Sequence, residues 1–564
     1  MSTPGNNESA VNSAPAAPSA PGFPTDLIAR LLAEEYSGVS RANRSLPGLP
    51  AVNSRSPLPP VHPDPQPAAP LLAPAPVSPS VGGHAPDSGD SYPFGEPRSP
   101  GGPVSLGHVP ERPAANPNPL LSLSSAGDPP TPQYYFLRDA ARAVPSPASA
   151  AAPPGNGLPQ PRFDLAGVRR DFPALHQLVH GHPLIWLDNA ATTHKPQAVI
   201  DATAQFYRRD NSNIHRAAHA LSVRSTELFE AGREKVRRFL GAADAREIVF
   251  VRGTTEAINL VAQSYGRKNV GAGDEIIVSE LEHHANIVPW QLLAAQVGAT
   301  LRVIPINDRG ELILEEYVRL LGPRTKIVAV AHVSNSLGTV NPVAQIVALA
   351  HARGIPVLVD GAQSAPHLPL NVTALDADFF VFSGHKVFGP TGIGALYAKA
   401  PLLAAMPPWQ GGGHMIQDVR FENTVYREAP EKFEAGTPDI AGVVGLSAAI
   451  DYLFQIGLPA IAAYEHALLE YATRGLACIP GLRPIGTAAD KASVLSFVIP
   501  GISPESIARQ LDQRGIAVRA GHHCAQPAQR HFGLETTVRP SLAFYNTREE
   551  VDALVRSLRL LKKD

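Results

Sequence analysis

The amino-acid sequence predicts an α/β fold in which a large domain with a mostly parallel sheet precedes a smaller α+β domain. Two observations support this prediction: short β-branched runs alternate with helical stretches from about residue 162, and the composition changes at the same place. Residues 1–160 hold 34 of the 58 prolines and are rich in Ala, Ser and Gly. Such a segment cannot bury enough apolar surface to offset its ordering entropy, so we predict that it is disordered. The predicted regions are 1–160, 161–440 and 441–564.

The large domain is predicted from its strands and the helices between them. Helical patterns cover 255–268, 287–297 and 343–353. Strands separated by helices of this length indicate a parallel sheet covered on both faces, with ligands bound beyond the carboxyl ends of the strands. The predicted strands are 247–251, 275–279, 301–306, 326–333, 356–361, 378–384 and 394–398.

The small domain is predicted from a second set of elements after about residue 440. It begins with one long helical stretch, 440–475, and includes a helix near 504–514. Apolar β-type runs occur at 494–499, 516–521 and 538–546. This mixture is typical of an α+β lobe.

Composition also excludes several classes of protein. Basic and acidic residues number 48 and 50, so the chain has no charge footprint of a dedicated nucleic-acid binder. Two cysteines exclude a disulfide framework. The sequence has no run of 18 apolar residues and no secretion signal at its start, so we expect no membrane span and a cytoplasmic protein.

Polar residues stand where the predicted strands end. Asp360 ends one apolar strand, and Ser383, His385 and Lys386 end the next. A desolvated lysine is a reactive amine that forms a Schiff base with an aldehyde, and a buried aspartate pairs well with a pyridinium nitrogen. Upstream, Gly253-Thr254-Thr255 starts a helix, which offers N–H groups, hydroxyls and a positive dipole end to a phosphate.

Together these residues resemble a fold-type I, class V aminotransferase that uses pyridoxal 5′-phosphate, and within that class a SufS-type (group II) cysteine desulfurase. The resemblance extends from about residue 163 to the C-terminus. Its motifs are LDNAATTHKP (187–196), NSNIHRAAHALS (211–222), RGTTEAINLVA (252–262), EHHANIVPWQ (282–291), HVSNSLGTVNP (332–342), VDGAQSAPH (359–367), FSGHKVFGPTGIGALY (382–397), FEAGTPDIAG (433–442), VRAGHHCAQP (518–527) and RPSLAFYNT (539–547).

The resemblance implies a role for each matching residue. Lys386 bonds to the cofactor, Asp360 holds the pyridine nitrogen protonated, and Gln363 binds the ring oxygen. His283 stacks on the ring and, as a catalytic residue, helps with proton transfers. The implied phosphate ligands are Thr254, Thr255, Ser383 and His385, with Thr437 supplied by the other subunit of a homodimer. Asn335 lies near cofactor and substrate, Arg539 binds the substrate carboxylate, and the substrate entrance is lined by Arg519, His215 and Arg216.

Cys524 is the nucleophile that the resemblance implies. Its neighbours His522, His523 and Arg519 favour a thiolate. Attack by this thiolate on the sulfur of L-cysteine gives L-alanine and a persulfide on Cys524, from which an acceptor protein or thiol takes the sulfur. Cys478, in the apolar stretch GLACIPGL, is expected to be a buried small hydrophobe.

No metal is expected. The histidine pairs 283–284 and 522–523 are in segments distant in sequence, and the cofactor site accounts for them. His414 stands where some relatives have Glu, and we expect a surface loop near the dimer interface there.

The N-terminal extension contains two apolar segments, at 24–38 and 132–144, that have the form of short binding motifs. The extension resembles that of cysteine desulfurases packaged as cargo in encapsulin shells, which implies that the two segments bind the inner surface of a shell. Alternatives are docking to a sulfur acceptor or scaffold, docking on the chain's own globular part, and a solubilising tail.

Other functions are compatible with the same scaffold. A selenocysteine lyase, a cysteine sulfinate desulfinase or an epimerase would share Lys386 and Asp360, and Cys524 discriminates among them. A binding or scaffold protein with a vestigial site is the alternative from another class, and the complete residue set argues against it.

Overall fold

The computed structural model describes residues 163–215 and 218–562. The predicted disorder of 1–160, the segments 24–38 and 132–144, and Arg216 lie outside this range. The α-helices are α1 (Leu165–Arg170), α2 (Gln197–Gln205), α3 (Ala220–Leu240), α4 (Thr254–Val261), α5 (Arg267–Asn269), α6 (Val288–Val297), α7 (Leu314–Leu320), α8 (Val343–His351), α9 (Ala400–Ala405), α10 (Ile440–Ile456), α11 (Leu458–Ala477), α12 (Pro504–Asp512), α13 (Gln526–His531) and α14 (Arg548–Arg559).

Most of the strands are short, and many of those in the centre of the fold are completely buried. The strands are β1 (Leu178–Val179), β2 (His182–Pro183), β3 (Ile185–Trp186), β4 (Ile248–Val251), β5 (Glu275–Ser279), β6 (Thr300–Ile304), β7 (Thr325–Ala331), β8 (Val357–Asp360), β9 (Phe379–Ser383), β10 (Gly394–Ala398), β11 (Ile416–Val419), β12 (Thr424–Tyr426), β13 (Arg483–Ile485), β14 (Ser496–Val498), β15 (Ile516–Ala517), β16 (Arg519–Gly521) and β17 (Thr537–Arg539).

A seven-stranded sheet in the order β4-β10-β9-β8-β7-β5-β6 forms the centre of the fold. Every strand is parallel to the others except β10, which is antiparallel to both β4 and β9. The prediction of a mostly parallel sheet is therefore confirmed, and all seven predicted strands occur within a few residues of their expected places. The continuous burial of β4, β8 and β9 is the pattern of a sheet covered on both faces.

The second sheet has four strands in the order β13-β14-β17-β16 and is antiparallel. Its core is formed with α11, α12 and α14, through residues such as Leu468, Phe497, Ile507 and Val551. A parallel pair between β15 and β3 joins this region to the beginning of the described chain. The alternation of strands and helices after residue 440 agrees with the predicted α+β lobe, while the boundary at 440/441 stays a prediction.

The long helical stretch predicted at 440–475 is wrong as a single element. It consists of two helices, α10 and α11, which meet at an angle of 75°. Gly457 separates them with φ of 92°, a conformation that glycine adopts without steric cost and that interrupts the helical geometry. Among the described residues no single helix is both long and apolar enough to cross a membrane, and only the bent pair α10–α11 reaches that length and composition when its two helices are combined.

Cys478 is exposed, so its predicted burial is also wrong. It caps the C-terminus of α11, whose buried stripe passes through Leu469, Ala472 and Leu476 and continues at Ile479. The residue after Ala477 therefore points away from the core although its neighbours in sequence are apolar. Apolar composition alone did not reveal this, because a helix end turns adjacent residues to different sides.

Candidate active site

Parallel strands bring the predicted polar residues to one edge of the central sheet. The carboxyl ends of β8 and β9 carry Asp360 and the segment Ser383–Lys386, and these two strands are neighbours. The same edge receives the segments that follow β4, β5 and β7. A cavity of about 180 Å³ opens there. The predicted site residues that line it are Thr254, Thr255, His283, Asn335, Asp360, Gln363, Ser383, His385, Lys386, Arg519, Cys524 and Arg539.

The interior of the cavity contains an acidic side chain, Asp360, and an amine, Lys386. Burial raises the pKa of Asp360. Two contacts oppose this shift: the Ala362 N–H donates to Oδ1 at 2.9 Å, and the charge of Lys386 stabilises the carboxylate. Burial lowers the pKa of Lys386 to about 8, with Asp360 opposing that shift. A lysine with this pKa is about one-tenth free amine at pH 7, far more than an ordinary lysine, and the free amine is the nucleophilic form.

The N-terminus of α4 and the end of β9 together form a small polar cradle. The Thr254 N–H donates to Ser383 Oγ at 2.9 Å, and Ser383 Oγ donates to Thr254 Oγ1, also at 2.9 Å. Gly253 precedes them with φ of 152°, and a Cβ there would meet Ser383 Oγ at 3.0 Å. The glycine thus keeps the space between the two segments open.

Arg539 lies on β17 and is almost completely buried. Its Nη1 donates to the Asn335 carbonyl at 2.9 Å, and its Nη2 donates to Asp188 Oδ1, also at 2.9 Å. The amide of Asn335 donates to the His523 carbonyl at 2.6 Å. Nε of Arg539 has no hydrogen-bond partner among the described residues. These contacts use two of the five N–H donors of the guanidinium and hold it at the cavity.

His283 and Gln363 are oriented by backbone groups. His283 Nδ1 accepts from the Ala285 N–H at 3.0 Å, so the proton of the neutral ring is on Nε2. Burial, with the charge of Lys386 as the next cause, lowers the pKa of His283 to about 3, which keeps the ring neutral. The Gln363 amide donates to the Ala190 carbonyl at 2.7 Å.

Cys524 lies in a strained turn at the cavity. Cys524 and His523 both have φ of 54°, in the left-handed region that non-glycine residues seldom adopt. The turn is held by the His284 N–H, which donates to the Cys524 carbonyl at 2.7 Å, and by His523 Nε2, which lies 2.9 Å from Thr537 Oγ1. Backbone strain of this kind persists where surrounding contacts over-determine it, and it is common at functional sites.

His284 and His522 belong to segments that are distant in sequence, and the fold brings the two side chains together. Their ring centroids are 5.5 Å apart, because the turn that carries Cys524 packs on the loop after β5. Sequence distance concealed this proximity, since the segments belong to different lobes of the fold.

Two predicted site residues line a different cavity of this chain. Thr437 and His215 lie together in a cavity of about 350 Å³ that also contains Arg427 and His414. The His215 and His414 rings stack with their centroids 4.8 Å apart and their planes 10° from parallel. His414, expected on a surface loop, is therefore partly buried against His215. The roles assigned to Thr437 and His215 stay predictions.

Sequence reasoning missed three residues that shape the site. Asp188 holds Arg539, and Lys195 Nζ donates to the His385 carbonyl at 2.9 Å. Glu282 is fully buried behind the cavity, where burial raises its pKa to about 8 although Asn286 and the Ala331 N–H donate to it. All three stand within motifs used for the resemblance, Asp188 and Lys195 in 187–196 and Glu282 in 282–291. The sequence signal that could have revealed these residues is a charged side chain within a stretch of otherwise apolar or small residues.

The residues of this cavity fit pyridoxal phosphate. Asp360 has a buried carboxylate with no ion pair to any cation in the described chain, which suits a pyridinium nitrogen. Lys386 supplies the amine, and the Gly253–Thr254–Ser383 cradle supplies N–H and hydroxyl groups to a phosphate at a helix N-terminus. A Cβ at Gly253 would narrow this cradle.

Comparison with known proteins agrees with this geometry. Residues 185–554 match the family model for class V aminotransferases. A cysteine desulfurase from Synechococcus elongatus is 62% identical over 400 residues, which are 71% of this chain and 64% of that protein. One from Klebsiella pneumoniae is 52% identical over 402 residues, or 71% of this chain and 99% of the relative.

A crystal structure of the cysteine desulfurase CsdA from Escherichia coli, in an S-sulfonic acid form, is similar to this fold. The TM-score is 0.66 at 44% identity, over 71% of this chain and all of that chain. The matched region covers less than two thirds of the longer curated relatives, for example 58% of a probable cysteine desulfurase from Mycolicibacterium paratuberculosis. The chain belongs to the class V aminotransferase family, whose cysteine desulfurases use pyridoxal 5′-phosphate as their cofactor.

Proposed function

We propose that this protein is a cysteine desulfurase that converts L-cysteine to L-alanine and leaves the sulfur as a persulfide on Cys524. One observation carries the proposal: a reactive lysine, a buried aspartate, a carboxylate-binding arginine and a cysteine line a single cavity. The curated relatives named cysteine desulfurases support it, at identities of 62% and 52%.

The cofactor would be held by residues at three points. Lys386 would bond to it, Asp360 would pair with its ring nitrogen, and Thr254 and Ser383 would bind its phosphate; all of these residues line the cavity. When bound, pyridoxal phosphate withdraws electrons from the amino acid and stabilises negative charge next to its α-carbon. Asp360 makes that withdrawal stronger, since a carboxylate in a desolvated setting keeps the ring nitrogen protonated.

Arg539 and Lys386 act on the substrate. A guanidinium binds a carboxylate through parallel N–H donors, and Arg539 is pre-oriented for this by Asp188 and the Asn335 carbonyl. Lys386 would also serve as the base that takes the α-proton of the substrate. Its position in the same cavity as Arg539 places the amine beside a substrate whose carboxylate Arg539 binds.

Cys524 performs the sulfur transfer. Its thiolate attacks the substrate sulfur, forming an S–S bond as the C–S bond breaks. The electron pair of the C–S bond stays with the carbon skeleton, which takes up a proton and leaves as alanine. Overall, cysteine and the enzyme thiol become alanine and an enzyme persulfide, so the step balances without an external oxidant.

The test is production of alanine and persulfide from L-cysteine by the purified chain, compared with C524S and C478S. We expect C478S to match the unchanged chain and C524S to keep its bound-cofactor absorbance while losing sulfur release. Equal sulfur release by C524S would contradict the assignment of Cys524. Product from selenocysteine or a sulfinate but none from cysteine would contradict the proposed substrate.

The active unit of this proposal is a homodimer. Thr437 and His215 line a cavity away from Lys386 in their own chain, an arrangement that suits donation of these residues to a second subunit. Light scattering of the full chain should give twice its mass of 59.7 kDa. A monomer with full cofactor occupancy would contradict this arrangement, and T437A is expected to retain less cofactor than the unchanged dimer.

Residues 1–160 are proposed to load this cytoplasmic enzyme into an encapsulin shell. Support comes from their composition and from the two apolar segments 24–38 and 132–144, since many weak contacts on a closed shell act through avidity. Co-expression with an encapsulin shell protein should yield co-purifying enzyme from the full chain and none after deletion of 1–160. Co-purification that survives this deletion would contradict loading by residues 1–160. Deleting 24–38 or 132–144 alone would show which of the two segments contacts the shell. Capture of a sulfur-acceptor protein instead would assign the extension to acceptor docking.

A further inference from the structure

Three metal-ligating side chains meet beside the cavity although they come from two segments. His284 follows β5, and His522 and Cys524 follow β16. One ring nitrogen of each histidine and the Cys524 sulfur all lie within 4.8 Å of one another. The two segments are tied by the hydrogen bond from the His284 N–H to the Cys524 carbonyl, at 2.7 Å. The cluster is therefore a feature of the fold rather than of one flexible side chain.

Both histidines carry an unprotonated ring nitrogen. His522 Nδ1 accepts from the Cys524 N–H at 3.0 Å, and His284 Nε2 accepts from the Gln526 N–H at 3.3 Å. An acceptor nitrogen is unprotonated, and its lone pair can bind a metal ion once the N–H group that it accepts from is displaced. His522 is exposed, and His284 and Cys524 are partly exposed, so an ion from solvent can reach all three.

The donor set selects the class of ion. One sulfur and two imidazole nitrogens, with no carboxylate in the group, favour Zn²⁺ over Mg²⁺ or Ca²⁺, which prefer oxygen ligands. Three protein ligands leave the fourth tetrahedral position to water, as in exposed zinc sites with an open coordination position.

We propose that His284, His522 and Cys524 bind one Zn²⁺ reversibly and that the bound ion blocks the Cys524 nucleophile. Zinc replaces the thiol proton, so one Zn–S bond forms and one proton is released to solvent. To bind these nitrogens, the ion must displace the Cys524 and Gln526 N–H groups, whose hydrogen bonds the two rings accept. Because this exchange costs two hydrogen bonds, we expect reversible binding rather than a structural zinc site. The blocking of sulfur transfer rests on the proposed function, whereas the binding of zinc does not.

The two cysteines of the chain provide an internal comparison. Cys478 is exposed and far along the chain from both histidines, so zinc should leave its reactivity unchanged. In the full-length holoenzyme, iodoacetamide alkylation of each cysteine is followed by peptide mass spectrometry with and without ZnCl₂. We expect zinc to slow alkylation of Cys524 at least about tenfold, a chelator to restore it, and Cys478 to react at one rate throughout. Equal rates at Cys524 with and without zinc would overturn the proposal.

Cobalt substitution tests the ligand set without an activity measurement. One Co²⁺ per chain should give the visible bands of a tetrahedral site, which disappear in C524S and persist in C478S. H284Q and H522Q should each weaken Co²⁺ binding by about tenfold or more. Bands that survive in C524S, or that neither histidine substitution changes, would overturn the ligand assignment.

Inhibition is measured separately. We expect zinc to inhibit sulfur release from L-cysteine in proportion to the Cys524 protected from alkylation. Protection without inhibition would overturn the blocking role. A chain that shows zinc protection but no desulfurase activity at all would contradict the proposed function and leave the metal site standing.

Discussion

Lys386 owes its reactivity to where β9 ends. Burial lowers its pKa from an ordinary 10.5 to about 8, and the neighbouring Asp360 prevents a still larger shift. Removing a charged amine from water disfavours its protonated form, so the free amine appears at lower pH than in an exposed lysine. This shift belongs to the protein without cofactor, where Lys386 is free to titrate.

The rate at which cofactor-free protein bonds to pyridoxal phosphate is therefore predicted to rise with pH and to reach half its maximum near pH 8. The protonated amine below that pH has no lone pair for the aldehyde, which gives the sign of the dependence. Absorbance of the bound cofactor measures the rate. A midpoint near 10.5 would show that burial does not tune this amine, and Lys386→Arg, which forms no covalent bond, is the control.

Arg539 is predicted to tolerate no conservative replacement. Arg539→Lys keeps the charge but loses the planar fork, whose two Nη atoms donate separately to the Asn335 carbonyl and Asp188 and whose remaining N–H groups suit a substrate carboxylate. Loss of a charge-assisted hydrogen bond costs about 1.5–3 kcal/mol, or roughly a tenfold to hundredfold fall in kcat/KM for L-cysteine. Most of the fall is expected in KM, because the contact exists in both ground and transition states.

The matched control for Arg539 is Arg483→Lys, at an exposed position on β13. Steady-state kinetics of both variants, with cofactor content measured in parallel, separate substrate binding from folding. An unchanged KM in Arg539→Lys with full cofactor content would contradict its assignment as the carboxylate ligand.

At the scale of elements, the turn from β4 into α4 is the phosphate side of the site. Gly253 has φ of 152° and ψ of −177°, a region in which only glycine is unstrained. A side chain there also meets Ser383 Oγ, as described above. Strand β4 and helix α4 can form a phosphate site because the helix starts directly after this glycine and directs its first N–H group towards Ser383 at the end of β9.

Gly253→Ala is predicted to destabilise the chain by about 1–3 kcal/mol and to weaken cofactor retention. Gly273→Ala is the matched control: its φ is also positive, at 81°, but a Cβ there meets nothing within 4 Å. Urea unfolding should show a loss in both variants, whereas cofactor absorbance after dialysis should fall in Gly253→Ala alone. Equal cofactor retention would show that the cradle tolerates a Cβ.

At the scale of the whole molecule, a buried pair joins the C-terminal helices to the sheet. His367, after β8, lies with Nδ1 at 2.7 Å from Glu465 Oε2 on α11, and both side chains are at most 5% exposed. The two residues are 98 positions apart in sequence, so the contact joins two separate segments. The pair therefore fixes α11 relative to the loop that begins with Asp360.

Glu465→Ala is predicted to lower the free energy of unfolding by about 1–3 kcal/mol, because it leaves the His367 imidazole buried without its partner. Glu465→Gln keeps an acceptor and should cost less. Glu470→Ala, on the same helix with its side chain half exposed, should stay within about 0.5 kcal/mol of the unchanged chain. Urea unfolding measures all three, and equal losses for Glu465→Ala and Glu470→Ala would contradict a special role for the pair.

Much of this fold was predictable because its strands are fully buried. EIIVS and DFFVFSG are β-branched and aromatic runs bounded by turn residues, and they occur where expected. The break at Gly457 was not predicted, since a glycine between two apolar helical segments is compatible with a continuous helix until packing makes it bend. The exposure of Cys478 depended in the same way on how α11 ends.

The sequence by itself determined the parallel sheet, the polar residues at its carboxyl edge and the motifs of the class V family. These are local properties, because periodicity, strand-end residues and motif spacing can be read directly from the linear sequence. Tertiary structure alone decided that Asp188 holds Arg539, that Glu282 is buried behind Asp360, and that His284 meets His522 and Cys524. Each of these contacts joins segments separated by more than about 70 residues, and such pairs are set by strand order and lobe packing rather than by any local pattern.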